Sequence, residues 1–163
     1  MKARDLMTQP VVSVHRQTPL SEVATIMVDR RIGCVPVLDE TGKLCGIVTL
    51  TDFAAKERGM PFSIENLPQM YLPQMFSPLL PQSARAQVHD EAQATTAQEV
   101  MITEVITAAE DTPLEEVAQQ MVRYDIDHVP VVRGGVPIGI VSRHDFLRMI
   151  AAEAEPTGAV QAV

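Results

Sequence analysis

Two stretches of the chain place apolar side chains among polar ones in the same order. In residues 18–28, "TPLSEVATIMV", Leu20, Val23, Ala24 and Met27 fall at i, i+3, i+4 and i+7, and Leu114, Val117, Ala118 and Met121 repeat this in residues 112–122, "TPLEEVAQQMV". That spacing lays one apolar stripe along a helix of 3.6 residues per turn, and its methionines read as core. Each stretch opens on Thr-Pro. Thr18 and Thr112 are expected to cap the helices, with Pro19 and Pro113 at the first helical position, where a missing N–H does no harm. Glu115, three residues after Thr112, is expected to complete a capping box.

Short β-rich runs precede these helices, "VVSV" at 11–14 and "VIT" at 105–107. After them come pairs of β-branched runs: "CVPVL" and "LCGIVT" across the turn-rich "DETGK", then "HVPVV" and "PIGIVS" across "RGG". These predict two hairpins. A final helix is expected after each, with Thr49 or Ser142 at its N-cap. Aligned on itself at an offset of 94, the chain pairs "ARDLM" (3–7) with "AQEVM" (97–101), and the match runs on through "GIVTLTDF" (46–53) and "GIVSRHDF" (139–146) at an offset of 93. So sustained a similarity marks an internal repeat. Each copy reads β-α-β-β-α, and a three-stranded sheet of this size cannot bury both faces alone. The expected fold class is α+β, two such repeats packed as a pseudo-twofold pair. The expected boundaries are a first repeat at 1–56, a connecting insertion at 57–96, a second repeat at 97–152 and a flexible tail at 153–163.

The insertion changes the picture. "LPQM" occurs in it twice, and Pro68, Pro73 and Pro78 work against a continuous helix. Its cluster of Leu, Met, Phe and Tyr is too apolar for a free linker, so it should dock on its own chain or complete a dimer or partner surface.

Of 163 residues, 46% are apolar and 21% charged, the balance of a globular protein with a substantial core. No apolar run approaches the roughly 20 residues of a membrane-spanning helix, and the start has no secretory pattern, so the expectation is a cytoplasmic protein. Cys34 and Cys45 fit neither a disulfide framework nor a zinc spacing, and the four histidines are scattered, so no metal site is expected. The net charge of −8 argues against nucleic acid as a partner. Residues 97–163 hold eleven acidic and four basic side chains, so a phosphate ligand there needs a local basic cluster.

The "DLMT" and "EVMIT" openings, the paired "VPV" and the Gly-hydrophobic-Val-Thr/Ser-x-x-Asp stretch closing each copy resemble, taken together and in order, the CBS domain, named after cystathionine beta-synthase. The resemblance covers about residues 1–56 and 97–151, as a tandem pair, and the long connector departs from it. It implies a module that often dimerises through its helices and commonly senses adenine nucleotides or related adenosine compounds in clefts between repeats. It also implies that the base lies against strand residues, here near Val12 and Val35 with Pro36, and near Val105, Ile126 and Val129 with Pro130. Asp52 and Asp145 match the family's ribose-binding Asp.

The chemistry fits those residue types. A carboxylate can accept both hydroxyls of a ribose diol. Thr49, Thr51 and Ser142 offer hydroxyls to phosphate beside a helix start. Arg143 is a fork for phosphate oxygens, and His144 an imidazole able to take up a proton as pH falls. The second motif is therefore expected to bind a phosphorylated ligand better than the first. A competing reading stays open, in which Ser or Thr and the Asp three residues on form only a capping box.

With no Ser-His-Asp order, metal set or Walker loop, an enzyme is not expected. The expected function is a regulatory module taking AMP, ADP, ATP or another adenosine derivative as ligand, with no cofactor required. It is expected to be a homodimer with a possible protein partner. The alternative is a ligand-independent oligomerisation or partner-docking module.

Overall fold

The structure, a computed structural model, describes residues 1–54, 90 and 92–153. Most of the insertion and all but the first residue of the expected tail, with the expectations placed on them, lie outside the described residues. The chain divides into two compact units, Val12–Val105, here the first unit, and Met1–Val11 with Ile106–Val163, the second.

In the first unit, β1 (Val14–His15) leads into α2 (Leu20–Arg30), then β2 (Cys34–Leu38) and β3 (Leu44–Thr49), and a 3-10 turn at Leu50–Ala54 follows. In the second, β4 (Ala108–Ala109), α4 (Leu114–Tyr124), β5 (His128–Arg133), β6 (Val136–Ser142) and α5 (Arg143–Glu153) follow the same plan. Each sheet has three strands in sequence order, the first pair parallel across the helix and the second an antiparallel hairpin. The fold is α+β, as the repeat predicts. Each hairpin turns on glycine with positive φ: Gly134 and Gly135 at 60° and 85°, Gly42 at 80°. The two-residue turn needs both, as a type I′ geometry does.

The expected apolar stripes point inward. Leu20, Val23 and Met27 are buried in the first unit's core with Val35, Val37 and Val48; Val117 and Met121 join Val129, Val131 and Val141 in the second. Each core also takes in residues from one-turn helices that the sequence reading did not resolve. These are α1 (Ala3–Leu6), whose Ala3 lies in the second unit's core, and α3 (Ala97–Val100), whose Ala97 and Val100 lie in the first's. Compact packing thus exchanges the openings of the two repeats. "ARDLM" packs in the unit that holds the second hairpin, and "AQEVM" in the unit that holds the first.

The exchange explains three departures from expectation. Thr18 and Thr112 do not cap their helices. Their hydroxyls accept the His15 and Ala109 N–H groups at 3.1 and 3.0 Å, and Pro19 and Pro113 stand at the N-cap instead. The first helical N–H groups go to the exchanged segments, Leu20 N to Thr95 O at 2.8 Å and Leu114 N to Met1 O at 3.2 Å, so no side-chain cap is needed there. Glu115 closes no box and instead accepts from Gln119 at 3.4 Å; a capping box forms at Thr96 and Glu99, where Glu99 accepts the Thr96 N–H and hydroxyl at 2.7 and 2.8 Å. The first strands lie later than expected, with ladder pairing only at Val14–His15 and Ala108–Ala109, where they meet the far ends of β2 and β5.

The glycine of each closing motif is a contact point for the exchanged opening. A Cβ built on Gly139 would lie 2.5 and 2.8 Å from Sδ and Cγ of Met7, and one on Gly46 would meet Met101 and, at 3.1 Å, the Ile102 carbonyl. Thr8 and Ile140 exchange backbone hydrogen bonds at 2.8 and 3.1 Å, as Ile102 and Ile47 do at 2.9 and 3.0 Å. Only glycine lets the opening methionine sit flat on the hairpin.

Candidate functional site

The closing motifs hold the acidic residues singled out above. Thr49 and Ser142 end β3 and β6, and the Asp three residues on turns back to them. Asp52 Oδ2 accepts the Thr49 N–H at 2.7 Å and its hydroxyl at 2.9 Å. Asp145 Oδ2 accepts the Ser142 N–H at 2.8 Å and its hydroxyl at 2.6 Å, while the Ser142 hydroxyl accepts the Asp145 N–H at 3.3 Å. The second motif is thus a reciprocal capping box opening α5. Both carboxylates are buried, Asp52 7% and Asp145 3% exposed.

The second motif has a further layer that sequence reasoning missed. Asp145 Oδ1 accepts the Thr8 hydroxyl, from the exchanged opening, at 3.3 Å, and is ion-paired with Arg148 one turn along α5. Burial by itself raises the Asp145 carboxyl, but the donors from Ser142 and Arg148 outweigh it and hold the group below its ordinary value. The i, i+3 spacing of Asp145 and Arg148 was the available signal for the ion pair. Nothing in the sequence placed Thr8 there, because the contact depends on the exchange.

Arg143 is exposed and already engaged. Its Nε lies 2.9 Å from Asp127 and its Nη2 3.2 Å from Asp125, while its backbone N–H donates to the Asp127 carbonyl at 2.9 Å. His144 and Thr51 are exposed. His128, at the start of β5, is another residue the sequence reading passed over. Its side chain is half-buried near Asp127 and Asp145, and burial lowers its pKa against the pull of those two acids. Its counterpart Cys34 is buried, its thiol pushed up to about 12 by burial.

Among the strand residues proposed for a base, Val35 and Pro36 on β2 and Val129 and Pro130 on β5 are fully buried, while Val12, Val105 and Ile126 are half-buried. Val12, Val35, Pro36, Val105, Thr49, Thr51 and Asp52 fall in the first unit; Ile126, Val129, Pro130 and the Ser142–Asp145 motif fall in the second. With their side chains in the cores, Val35 and Val129 can offer a ligand backbone only. That backbone lacks a strand partner on one side, although the residues are themselves buried. Strand β1 pairs with β2 only at Val37 and Leu38, and β4 with β5 only at Val131 and Val132, so on this edge Cys34–Pro36 and His128–Pro130 have no strand partner among the described residues. A strand edge without a strand partner beside a buried carboxylate has the groups that an amide-edged base joined to a sugar diol would use.

Among the described residues no group of three or more His, Cys, Asp or Glu could hold a metal ion, and no helix is long and apolar enough to cross a membrane.

The CBS domain family model matches residues 3–58 and 97–152. The chain is 30% identical over 151 residues to the L-aspartate semialdehyde sulfurtransferase of Methanocaldococcus jannaschii, covering 92% of this chain but only 23% of that protein's length. An uncharacterised protein of the same organism is 30% identical, with 92% of this chain and 91% of that protein covered. Among solved structures, the CBS domain of a CBS domain containing membrane protein from Sphaerobacter thermophilus superposes with a TM-score of 0.75 at 35% identity, covering 91% of this chain and 86% of that one. A CBS domain pair solved in complex with 5′-methylthioadenosine and S-adenosyl-L-methionine superposes at 0.67 with 28% identity, covering 94% and 98%. With both repeats matched and the fold shared along nearly its whole length, the chain belongs to the CBS domain family, as a tandem pair.

Proposed function

We propose that this chain is a regulatory module that binds an adenosine compound, AMP, ADP or ATP or another adenosine derivative, and reports its presence to whatever it is joined to or docks on. The observation that carries the reading is a repeated buried carboxylate beside a strand edge that lacks a strand partner among the described residues, in a chain similar to a pair solved with two adenosine compounds. In this reading the strand edges at Val35 and Pro36 and at Val129 and Pro130 meet the base, with Val12, Val105 and Ile126 beside them. Asp52 and Asp145 take the sugar. Thr49, Thr51 and Ser142 face a phosphate or its replacement, with Arg143 and His144 at the second motif. Arg143 reaches phosphate only by exchanging Asp125 and Asp127 for it, and exposed ion pairs of this kind are worth about 0.2–1 kcal/mol, so the exchange is open to a dianion.

A thermal-shift panel tests the proposal. Ligand at about a hundredfold above its dissociation constant adds roughly 2.7 kcal/mol, about 5–11 °C for a chain of this length. The panel holds adenosine, AMP, ADP, ATP, 5′-methylthioadenosine and S-adenosylmethionine. At least one compound should raise the midpoint, and Asp145→Ala should abolish the shift or reduce it to the part contributed by the first motif. A flat panel refutes ligand sensing and favours the ligand-independent docking module, for which the exposed apolar side chains of α5, Leu147 and Ile150, are the supporting observation.

A further inference from the structure

The carboxylate assigned to the ligand's sugar is full. An ionised carboxylate has about four lone-pair positions, and Asp145 receives four donors: the Ser142 N–H and hydroxyl on Oδ2, the Thr8 hydroxyl and the Arg148 guanidinium on Oδ1. A ribose diol brings two more. Two of the present donors must leave for both hydroxyls to be accepted, and the four are not equally free to do so. The Oδ2 pair is the capping box that starts α5, and removing it orphans a backbone N–H at the end of β6. The Oδ1 pair lies outside that box. The Thr8 bond is long at 3.3 Å, and the Arg148 side chain is 60% exposed with solvent to move into.

We propose that Arg148 is an internal competitor for the second-repeat ligand site, its guanidinium occupying the Asp145 oxygen that a vicinal diol needs, so that ligand binding proceeds as Arg148 swings out. The inference rests on the adenosine reading above and adds to it a specificity-determining residue outside the motif. Competition sets a threshold: a ligand offering a single hydroxyl gains too little from Oδ1 to displace a charged partner, while a diol gains a second charge-assisted hydrogen bond for the same displacement. Position 55, which matches Arg148 in the first repeat, is alanine, and the position matching Thr8 is Ile102, so the first repeat does not carry this pair of residues at the matching positions.

Isothermal titration of the full chain separates the outcomes. Adenosine is the probe, since it has no phosphate for a released guanidinium to bind. Arg148→Gln should bind adenosine about fivefold more tightly than the native chain, the factor equivalent to losing an ion pair whose guanidinium is mostly in water. Arg148→Lys should stay near the native value, and Asp145→Asn should lose the site. With 2′-deoxyadenosine, which has one hydroxyl to place on the freed oxygen, the gain in Arg148→Gln should be smaller than with adenosine, which a merely structural role for Arg148 would not produce. Unchanged or weaker adenosine binding in a folded Arg148→Gln protein overturns the competition while leaving the adenosine reading intact. Adenosine binding that survives Asp145→Asn undiminished, or no adenosine binding by any variant, overturns both.

Discussion

Replacing Gly139 by alanine puts a methyl group where Met7 already lies. The new Cβ would stand 2.5 Å from Sδ, 2.8 Å from Cγ and 3.1 Å from Cβ of Met7, all inside van der Waals contact. The sulfur end can rotate away, but the approach to Met7 Cβ cannot be relieved by χ angles. The opening segment must therefore lift, straining the paired hydrogen bonds of Thr8 with Ile140. Overpacking of this kind costs about 1–3 kcal/mol, or roughly 2–12 °C in the midpoint of a chain this long. Met7→Ala removes the obstacle at the expense of its own half-buried contacts. If Met7 is what the methyl meets, Gly139→Ala combined with Met7→Ala is less destabilised than the sum of the single variants by about 1 kcal/mol or more, the coupling expected of residues in contact. Urea unfolding of the four proteins measures it. Strict additivity would refute the argument, and with it the account of why each closing motif begins with glycine; so would a coupling between Gly139 and Met101 instead of Met7, since that would return each opening to its own hairpin.

Titration should reveal two acid-sensitive groups in separate windows. Burial lowers the pKa of folded His128, so the unfolded chain binds its proton first; stability should fall as pH drops below about 6.5, and His128→Gln should flatten that slope in urea midpoints taken between pH 7 and 5. Folded Asp145 likewise lies below its unfolded value, so its contribution is complete above about pH 4 and lost on further acidification, and Asp145→Asn should remove that step. A slope of the opposite sign in either window contradicts the assigned cause. The two thiols should differ in the native state. Cys34 is buried with its thiol raised to about 12, whereas Cys45 is half-buried, so iodoacetamide at pH 8 followed by mass spectrometry should label Cys45 first and Cys34 only on unfolding; the reverse order would show that β2 opens more readily than its packing implies.

How much of this was legible in the sequence depends on the range of the interaction. The stripe of Leu20, Val23 and Met27 and the glycines at 134 and 135 are local signals, and the helices and turns they predict are present. The caps were misassigned for a long-range reason. Thr18 and Thr112 have the right chemistry in the right place, yet the N–H groups they were expected to satisfy are taken by the carbonyls of Thr95 and Met1, residues that no spacing argument brings near. The same exchange hid Thr8 beside Asp145. Ser142 and Asp145, three residues apart, were readable as a capping box, and the box is there; a ligand-binding carboxylate and a capping carboxylate share one sequence pattern, so local pattern alone could not rank the two roles.

Those two roles need not exclude each other, and under the proposed reading Asp145 would serve both. Its two oxygens face different neighbours. Oδ2 belongs to the start of α5, and its donors come from within three residues, so it is fixed whenever the helix is formed. Oδ1 faces Thr8 and Arg148, one from a segment ninety-odd positions out of register with its own repeat and one from a side chain mostly in water. A carboxylate fixed by one oxygen and paired through the other with an exposed side chain would be preorganised for the proposed ligand without being left unpaired in its absence, which would cost a buried charge its compensation. Thr8 ties that second oxygen to the opening segment, so a ligand that takes Oδ1 also removes one of the bonds holding residues 1–11 to their unit. Under the proposed reading, occupancy of this site would have a mechanical consequence at the chain's N-terminal segment, which is what a sensing module requires.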